Sequence, residues 1–231
     1  MIKYMPYSMF DAFDDSQVQT VVNTINCMGI MGKGLALEFK IRYPNMFDDY
    51  IRRHKEGNLN VGEPYVFKTS NKWILNFPTK NHWKYPSKLE FIDSGLKFFV
   101  ESYKKFGIKS VAFPRLGCTF GGLKWEQVKP LMEKYIGDIQ GIDVYVYLDQ
   151  KASDKEQGIL EAINSCNKAD IRERFKLSDR QIDALKIYIQ RRGLLKRLRD
   201  LLEIKGIGPA AYKKALSGRN QAGMSQGEFL F

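Results

Sequence analysis

A loop with three glycines separates two stretches of different periodicity, and this juncture restricts the fold more than any other feature of the chain. Residues 18–26 read VQTVVNTIN, a β-branched run suited to a strand. Gly29, Gly32 and Gly34 follow, and then ALEFKIRY, which offers Leu37, Ile41 and Phe39 for packing as a helix. Strand, glycine loop and helix in succession aim free backbone N–H groups at an anion. Asn23, Asn26 and Lys33 lie at the carboxyl end of this strand, where ligands sit in α/β sheets. The spacing fits neither the dinucleotide-binding nor the P-loop pattern, so the loop alone is equally compatible with a plain turn into a helix.

Taken in order, the chain alternates. MIKYM reads as a first strand and PYSMFD as a turn into a short helix. GLALEFKIRY is a helix stopped by Pro44, and NMFDDYIRRHKEG restarts one with Asn45 as candidate N-cap. PYVFKT, a polar turn at Ser70-Asn71-Lys72, and WILNF predict a hairpin. Leu89, Ile92, Leu96, Phe99 and Tyr103 recur at helical spacing up to Gly107. KSVAFPRL is a buried strand, LKWEQVKPLMEKYIG a helix broken or bent at Pro130, and IDVYVYL a closing strand. The pattern predicts an α/β sandwich with a mixed sheet over residues 1–150. A polar linker and helix over 151–176, a small all-α domain over 177–217 and a Gly/Ser/Gln-rich tail over 218–231 complete the expected organisation.

Net charge is +11. Residues 1–150 carry 20 Lys/Arg against 16 Asp/Glu, whereas residues 151–231 carry 17 against 10. The basic C-terminal third suits a polyanion such as nucleic acid, with a solvated basic surface as the plain alternative. Cys27, Cys118 and Cys166 are odd in number and widely spaced, which argues against a disulfide framework, and two histidines give no metal-ligand spacing. No apolar run approaches a membrane span, and no signal-peptide pattern opens the chain. A reduced, cytoplasmic protein is expected, without metal or cofactor.

Three loops should converge at the carboxyl ends of neighbouring strands: NTINCMGIMGKG, NFPTKNHW and PRLGCTFGG. Two facing glycine loops suit a diphosphate, Asn26 a sugar hydroxyl, and Phe120 a ring or ribose. Lys80 follows Pro78 just after a strand. In a partly dry pocket its amine would become a nucleophile; in isolation, a lysine there is a solvated charge. Cys118 and Cys27 have no histidine placed to activate them and read as small buried residues, and His82 reads as an optional supporting group.

Together VNTINCMGIMGKGLALEF, NFPTKNHW and PRLGCTFGGLKW resemble, in this order, macrodomains of the DarG branch, the antitoxin of DarT/DarG systems. The resemblance covers about residues 1–148 and implies a three-layer α/β/α macrodomain that removes ADP-ribose from DNA bases. In that branch, and in the related terminal ADP-ribose protein glycohydrolase, a lysine of the second motif attacks the anomeric carbon of the distal ribose; Lys80 matches it. Asn26 matches the asparagine that orients this ribose, with Asn23 beside it. Gly32, Lys33 and Gly34 match the first phosphate and ribose loop, with Met31 and Leu35 beside them as candidate contacts; Gly117, Cys118, Thr119, Phe120 and Gly121 match the second, with Arg115 beside them. Tyr7-Ser8-Met9 stands where classical macrodomains carry an adenine-contacting aspartate, so Ser8 or the backbone amides of this stretch take that role. Gly121 replaces the aspartate that assists the lysine of the protein-directed enzyme, which favours a DNA adduct. A non-catalytic ADP-ribose reader and an enzyme acting on modified protein are the rival readings. Implied partners are single-stranded ADP-ribosylated DNA and a DarT-like toxin.

LLEIKGIGPAAYKKAL resembles a helix-hairpin-helix. Gly206 and Gly208 would offer N–H groups to a DNA phosphate, with charge from Lys205, Lys213 and Lys214. The terminal SQGEFLF resembles sliding-clamp-binding peptides, with an unstructured tail as the plainer reading.

Overall fold

A computed structural model describes residues 1–165 and 167–217, except the side chains of 216 and 217. Cys166 and the clamp-binding expectation for the tail lie outside the described residues. The chain divides into two compact units, Met1–Lys151 and Ala152–Phe231.

The first unit is built on six strands: β1 Ile2–Met5, β2 Thr20–Asn26, β3 Tyr65–Lys68, β4 Trp73–Lys80, β5 Ser110–Pro114 and β6 Asp143–Tyr147. Their order is β1-β6-β5-β2-β4-β3. Every pairing is parallel except the β3–β4 hairpin. Both faces of such a sheet must be covered, and the strands show it by alternation. Val22, Leu75, Val111, Val144 and Val146 face one apolar layer with α3 (Leu89–Phe106) and α4 (Trp125–Ile136). Val21, Ile74, Ala112, Tyr145 and Tyr147 face the other, with α1 (Gly34–Arg42) and α2 (Pro44–Lys55). The result is the expected α/β/α sandwich with a mixed sheet.

Local chemistry corrects three details. Pro44 itself opens α2 with Tyr43 as N-cap, so Asn45 is not the cap. Proline has no N–H to lose at the first helical position, and therefore ends one helix and begins the next. Pro130 sits inside α4, which continues from Trp125 to Ile136. The hairpin's second strand extends to Lys80 rather than ending at Phe77.

The second unit comprises α5 (Asp154–Ser165), α6 (Lys168–Phe175), α7 (Asp179–Arg192) and α8 (Pro209–Ser217). Ser178 and Gln181 form the capping box the sequence announces at α7. Ile163, Ile171, Phe175, Ile182, Leu185, Leu201 and Tyr212 are buried. The segment before the GIG turn is a 3-10 helix, Leu198–Glu203. Its i→i+3 bonds continue downstream, with Ile204 N–H donating to Leu201 O and Ile207 N–H to Ile204 O. Among the described residues, no helix is long and apolar enough to cross a membrane.

Candidate functional site

Strands β5, β2 and β4 are neighbours and run parallel, so their carboxyl ends open on one rim. The first glycine loop leaves β2 at Asn26, the second motif ends β4 at Lys80, and the third loop leaves β5 at Pro114. Asn26 pairs with Lys80 across a register shift that leaves Thr79 as an extra residue. The Cys27 amide then donates to the carbonyls of Lys80 and Asn81 at 3.1 and 3.2 Å, fixing the first loop to the second motif.

The Lys80 ammonium donates to the Phe120 carbonyl at 2.5 Å. This bond carries the end of β4 onto the third loop and gives the amine a fixed direction. Partial burial lowers the Lys80 pKa below the ordinary lysine range, because removing water disfavours the charged form. Phe120 also meets the first loop. Gly34 begins α1 at φ +57°, and a Cβ there would lie 2.7 Å from Phe120 Cδ2. Glycine is thus required at that position by both its backbone and its neighbour. The Phe120 ring remains 63% exposed, free to cover a ligand. Thr119, one residue before it, is β-branched yet sits at φ +53°. Such backbone strain persists where the surroundings impose it, and it marks this turn as a specialised one.

Gly121 is buried against the turn that follows the second motif. Ser87 N–H donates to the Gly121 carbonyl at 2.8 Å, and a Cβ on Gly121 would lie 2.7 Å from Ser87 Oγ. That hydroxyl is buried and has no hydrogen-bond partner among the described residues.

Asn26 is held more firmly than its sequence position suggests. Its amide nitrogen donates to the Ile30 carbonyl at 2.6 Å, and its side-chain oxygen accepts from the Met28 amide at 2.9 Å and from the Tyr50 hydroxyl at 3.2 Å. One N–H of the side chain is left for a ligand. The Tyr50 hydroxyl also donates to the Asn26 carbonyl at 2.8 Å, and His54 Nδ1 hydrogen-bonds the Cys27 carbonyl at 2.9 Å. Tyr50 and His54 stand four apart on α2 and clamp the loop; the i, i+4 spacing of two polar aromatics was the only sequence signal for them.

Four side chains expected at the site are engaged elsewhere. Asn23 is wholly buried within β2, and its amide donates to Asn76 on β4 at 2.9 Å, so it does not reach the rim. Met9 and Met31 lie in the core between the sheet, α1 and α2. The Ser8 hydroxyl is buried and accepts from the Phe10 amide at 3.2 Å, capping the 3-10 turn Met9–Phe13. In each case packing, or capping, has claimed the side chain and left only the backbone for a ligand. Gly32 and Lys33 are exposed, Leu35 and Arg115 are half-buried, and Gly117 is buried under Ser87 and Leu123. Burial raises both described thiols, Cys27 to about 11, so Cys27 and Cys118 are poor nucleophiles at neutral pH. His82 accepts from the Lys84 amide within its own turn. Among the described residues, no group of three His, Cys, Asp or Glu side chains could hold a metal ion.

In the second unit, Lys205, Gly206, Gly208, Lys213 and Lys214 are all exposed about the turn that leads into α8. Gln181 donates to the Gly206 carbonyl at 3.3 Å and steadies that turn.

Residues 22–132 match the family of the macro domain. The DNA ADP-ribosyl glycohydrolase of Mycobacterium tuberculosis is 40% identical over 148 residues, covering 62% of this chain and 42% of its own. The chain therefore spans about two fifths of that curated relative's length. The solved macrodomain of Mycobacterium tuberculosis DarG superposes with a TM-score of 0.59 at 40% identity, over 64% of this chain and 97% of that one. Thermosipho africanus DarTG in complex with ADP-ribose gives a TM-score of 0.58 at 37% identity, over 66% of this chain and 43% of that one.

Proposed function

This chain belongs to the macro domain family, and on that premise we propose that it removes ADP-ribose from DNA bases, with Lys80 as nucleophile. The observation that carries the proposal is the Lys80 amine, partly desolvated and directed by the Phe120 carbonyl, between two glycine loops on one rim. The free N–H groups at the start of α1, which has no side-chain cap, and the backbone of residues 117–121 grip the diphosphate. Asn26 donates its remaining N–H to the distal ribose, and Phe120 covers that sugar. The backbone about Ser8 meets the adenine.

The neutral amine of Lys80 forms a bond to the anomeric carbon as the bond from that carbon to the base nitrogen breaks. The base leaves with the electron pair and takes a proton from solvent. Water then attacks the same carbon as the bond from that carbon to Lys80 Nζ breaks; the amine keeps the electron pair, the water's extra proton passes to solvent, and ADP-ribose departs with a hydroxyl on the anomeric carbon. Fixed orientation and diphosphate binding supply most of the rate. Gly121 offers no carboxylate, as suits a DNA adduct rather than a carboxylate-linked protein adduct.

The second unit holds DNA through the Gly206–Gly208 turn and Lys205, Lys213 and Lys214, independently of sequence. A DarT-like toxin is the expected source of the adduct, in keeping with the DarTG relative. The unpaired cysteines Cys27 and Cys118 suit the reducing cytoplasm, where we place the protein.

The test compares wild type with Lys80→Ala on ADP-ribosylated single-stranded DNA, following free ADP-ribose. Wild type releases it, and the variant is slower by about 10³-fold or more, as for loss of a covalent nucleophile. Binding without release by wild type would instead identify a reader, and release from protein adducts alone would move the substrate class.

A further inference from the structure

The turn that follows Lys80 carries a surface the glycohydrolase chemistry leaves unused. The His82 ring stacks with Trp83 at 5.9 Å between centroids and 19° between planes, and meets Tyr85 at 5.1 Å. Trp83 is 46% and Tyr85 66% exposed, so two large aromatic rings, each in contact with His82, stand largely in water. The turn is internally fixed: the Lys84 amide donates to His82 Nδ1 at 3.1 Å and the Tyr85 amide to the His82 carbonyl at 3.2 Å. Cations accompany the rings. Lys84 Nζ lies 5.3 Å from the Trp83 centroid, Lys88 is exposed, and residues 81–89 contain no acidic side chain. The Ser87 amide ties this turn to Gly121 and thus to the loop bearing Phe120.

We propose that Trp83 and Tyr85 form a stacking platform for the unpaired bases that flank the modified base in a single DNA strand. The inference rests on the glycohydrolase reading. The base that leaves the attacked carbon is still joined to its strand, and that strand must pass the end of β4. Trp83 is three residues beyond Lys80, within about 11 Å of extended chain. Exposed aromatic faces interleaved with lysines are the chemistry of single-strand binding, where bases stack on rings and phosphates meet cations. A duplex hides those base faces in its own stack. An acidic peptide would satisfy the lysines and leave the rings unused.

The experiment uses the whole chain and two substrates: an ADP-ribosylated single-stranded oligonucleotide, and the same modified nucleoside without neighbours. Wild type prefers the oligonucleotide in kcat/KM. The Trp83→Ala, Tyr85→Ala double variant loses about tenfold or more of that preference, chiefly through KM, and Trp83→Phe restores most of it. In parallel, an unmodified single-stranded oligonucleotide quenches tryptophan emission in wild type and not in Trp83→Phe. An unchanged preference together with an unchanged quench in the variants overturns the platform. If wild type releases ADP-ribose from neither substrate, the glycohydrolase reading falls, and the quench alone then decides whether the platform binds single strands.

Discussion

The two units are held together in different ways. In the first, a sheet with two apolar faces is sandwiched between helices, and Phe99 meets Phe113 edge-on at 5.2 Å in one of its two cores. In the second, a smaller apolar core is reinforced by buried polar clasps. Arg197 grips Glu156 through two hydrogen bonds of 3.2 and 3.0 Å, with both side chains at least 86% buried. Asn164 exchanges two bonds of 3.1 Å with the Leu195 backbone. The contrast suits the division of labour proposed for the two units. Placing an amine on an anomeric carbon needs a rim fixed from several strands, whereas holding a polyanion needs exposed lysines on a turn that is merely kept in shape.

The largest expected effect breaks the second unit and spares the first. Arg197→Ala leaves the Glu156 carboxylate buried without its counter-charge and costs that unit about 3 kcal/mol or more. Calorimetry should show its transition lowered while that of the first unit stays in place; equal lowering of both would show that the units unfold as one. A smaller effect separates their roles. Replacing Lys205, Lys213 and Lys214 together by alanine should reduce the slope of log affinity for single-stranded DNA against log salt by about 2. Affinity for free ADP-ribose should hold, and an unchanged slope would remove the α8 turn from the DNA interface. The smallest effect sharpens the account of the first unit. Burial holds Lys80 below its usual 10.5, and the proposed attacking form is the neutral amine. The rate of ADP-ribose release should therefore rise with pH, by at most about tenfold per unit, and level off at a midpoint below the ordinary lysine value. A rate that falls as pH rises through that range would exclude the amine as attacking group.

The layered fold was legible because its signals are local. The period of two in the strands, the helical spacing from Leu89 to Tyr103 and the turn residues between them each report on their own segment. The convergence of three loops was legible as well, since parallel strands with helical crossovers leave few ways to arrange their ends. What the sequence hid were choices made by packing. Nothing in NTIN says that Asn23 pairs with Asn76 while Asn26 turns back onto Ile30, because the partners lie on another strand and in a loop. Met9 and Met31 could equally line a pocket or fill a core, and the core claimed them. Tyr50 belongs to the buried face of α2, so its ring reads as plain core, and nothing in the helix's pattern announces that its hydroxyl and His54 also clamp the loop. Trp83 and Tyr85 were visible as letters, but only their exposure separates a platform from a packed edge.

The Ser87 hydroxyl lodged beneath Gly121 makes position 121 a gauge of local room. Any side chain there would set its Cβ 2.7 Å from Ser87 Oγ and so would have to turn that hydroxyl aside. A short side chain can rotate, so the size of residue 121 and the rotamer of residue 87 are coupled: a change in the third loop is felt first in the turn that follows the second motif.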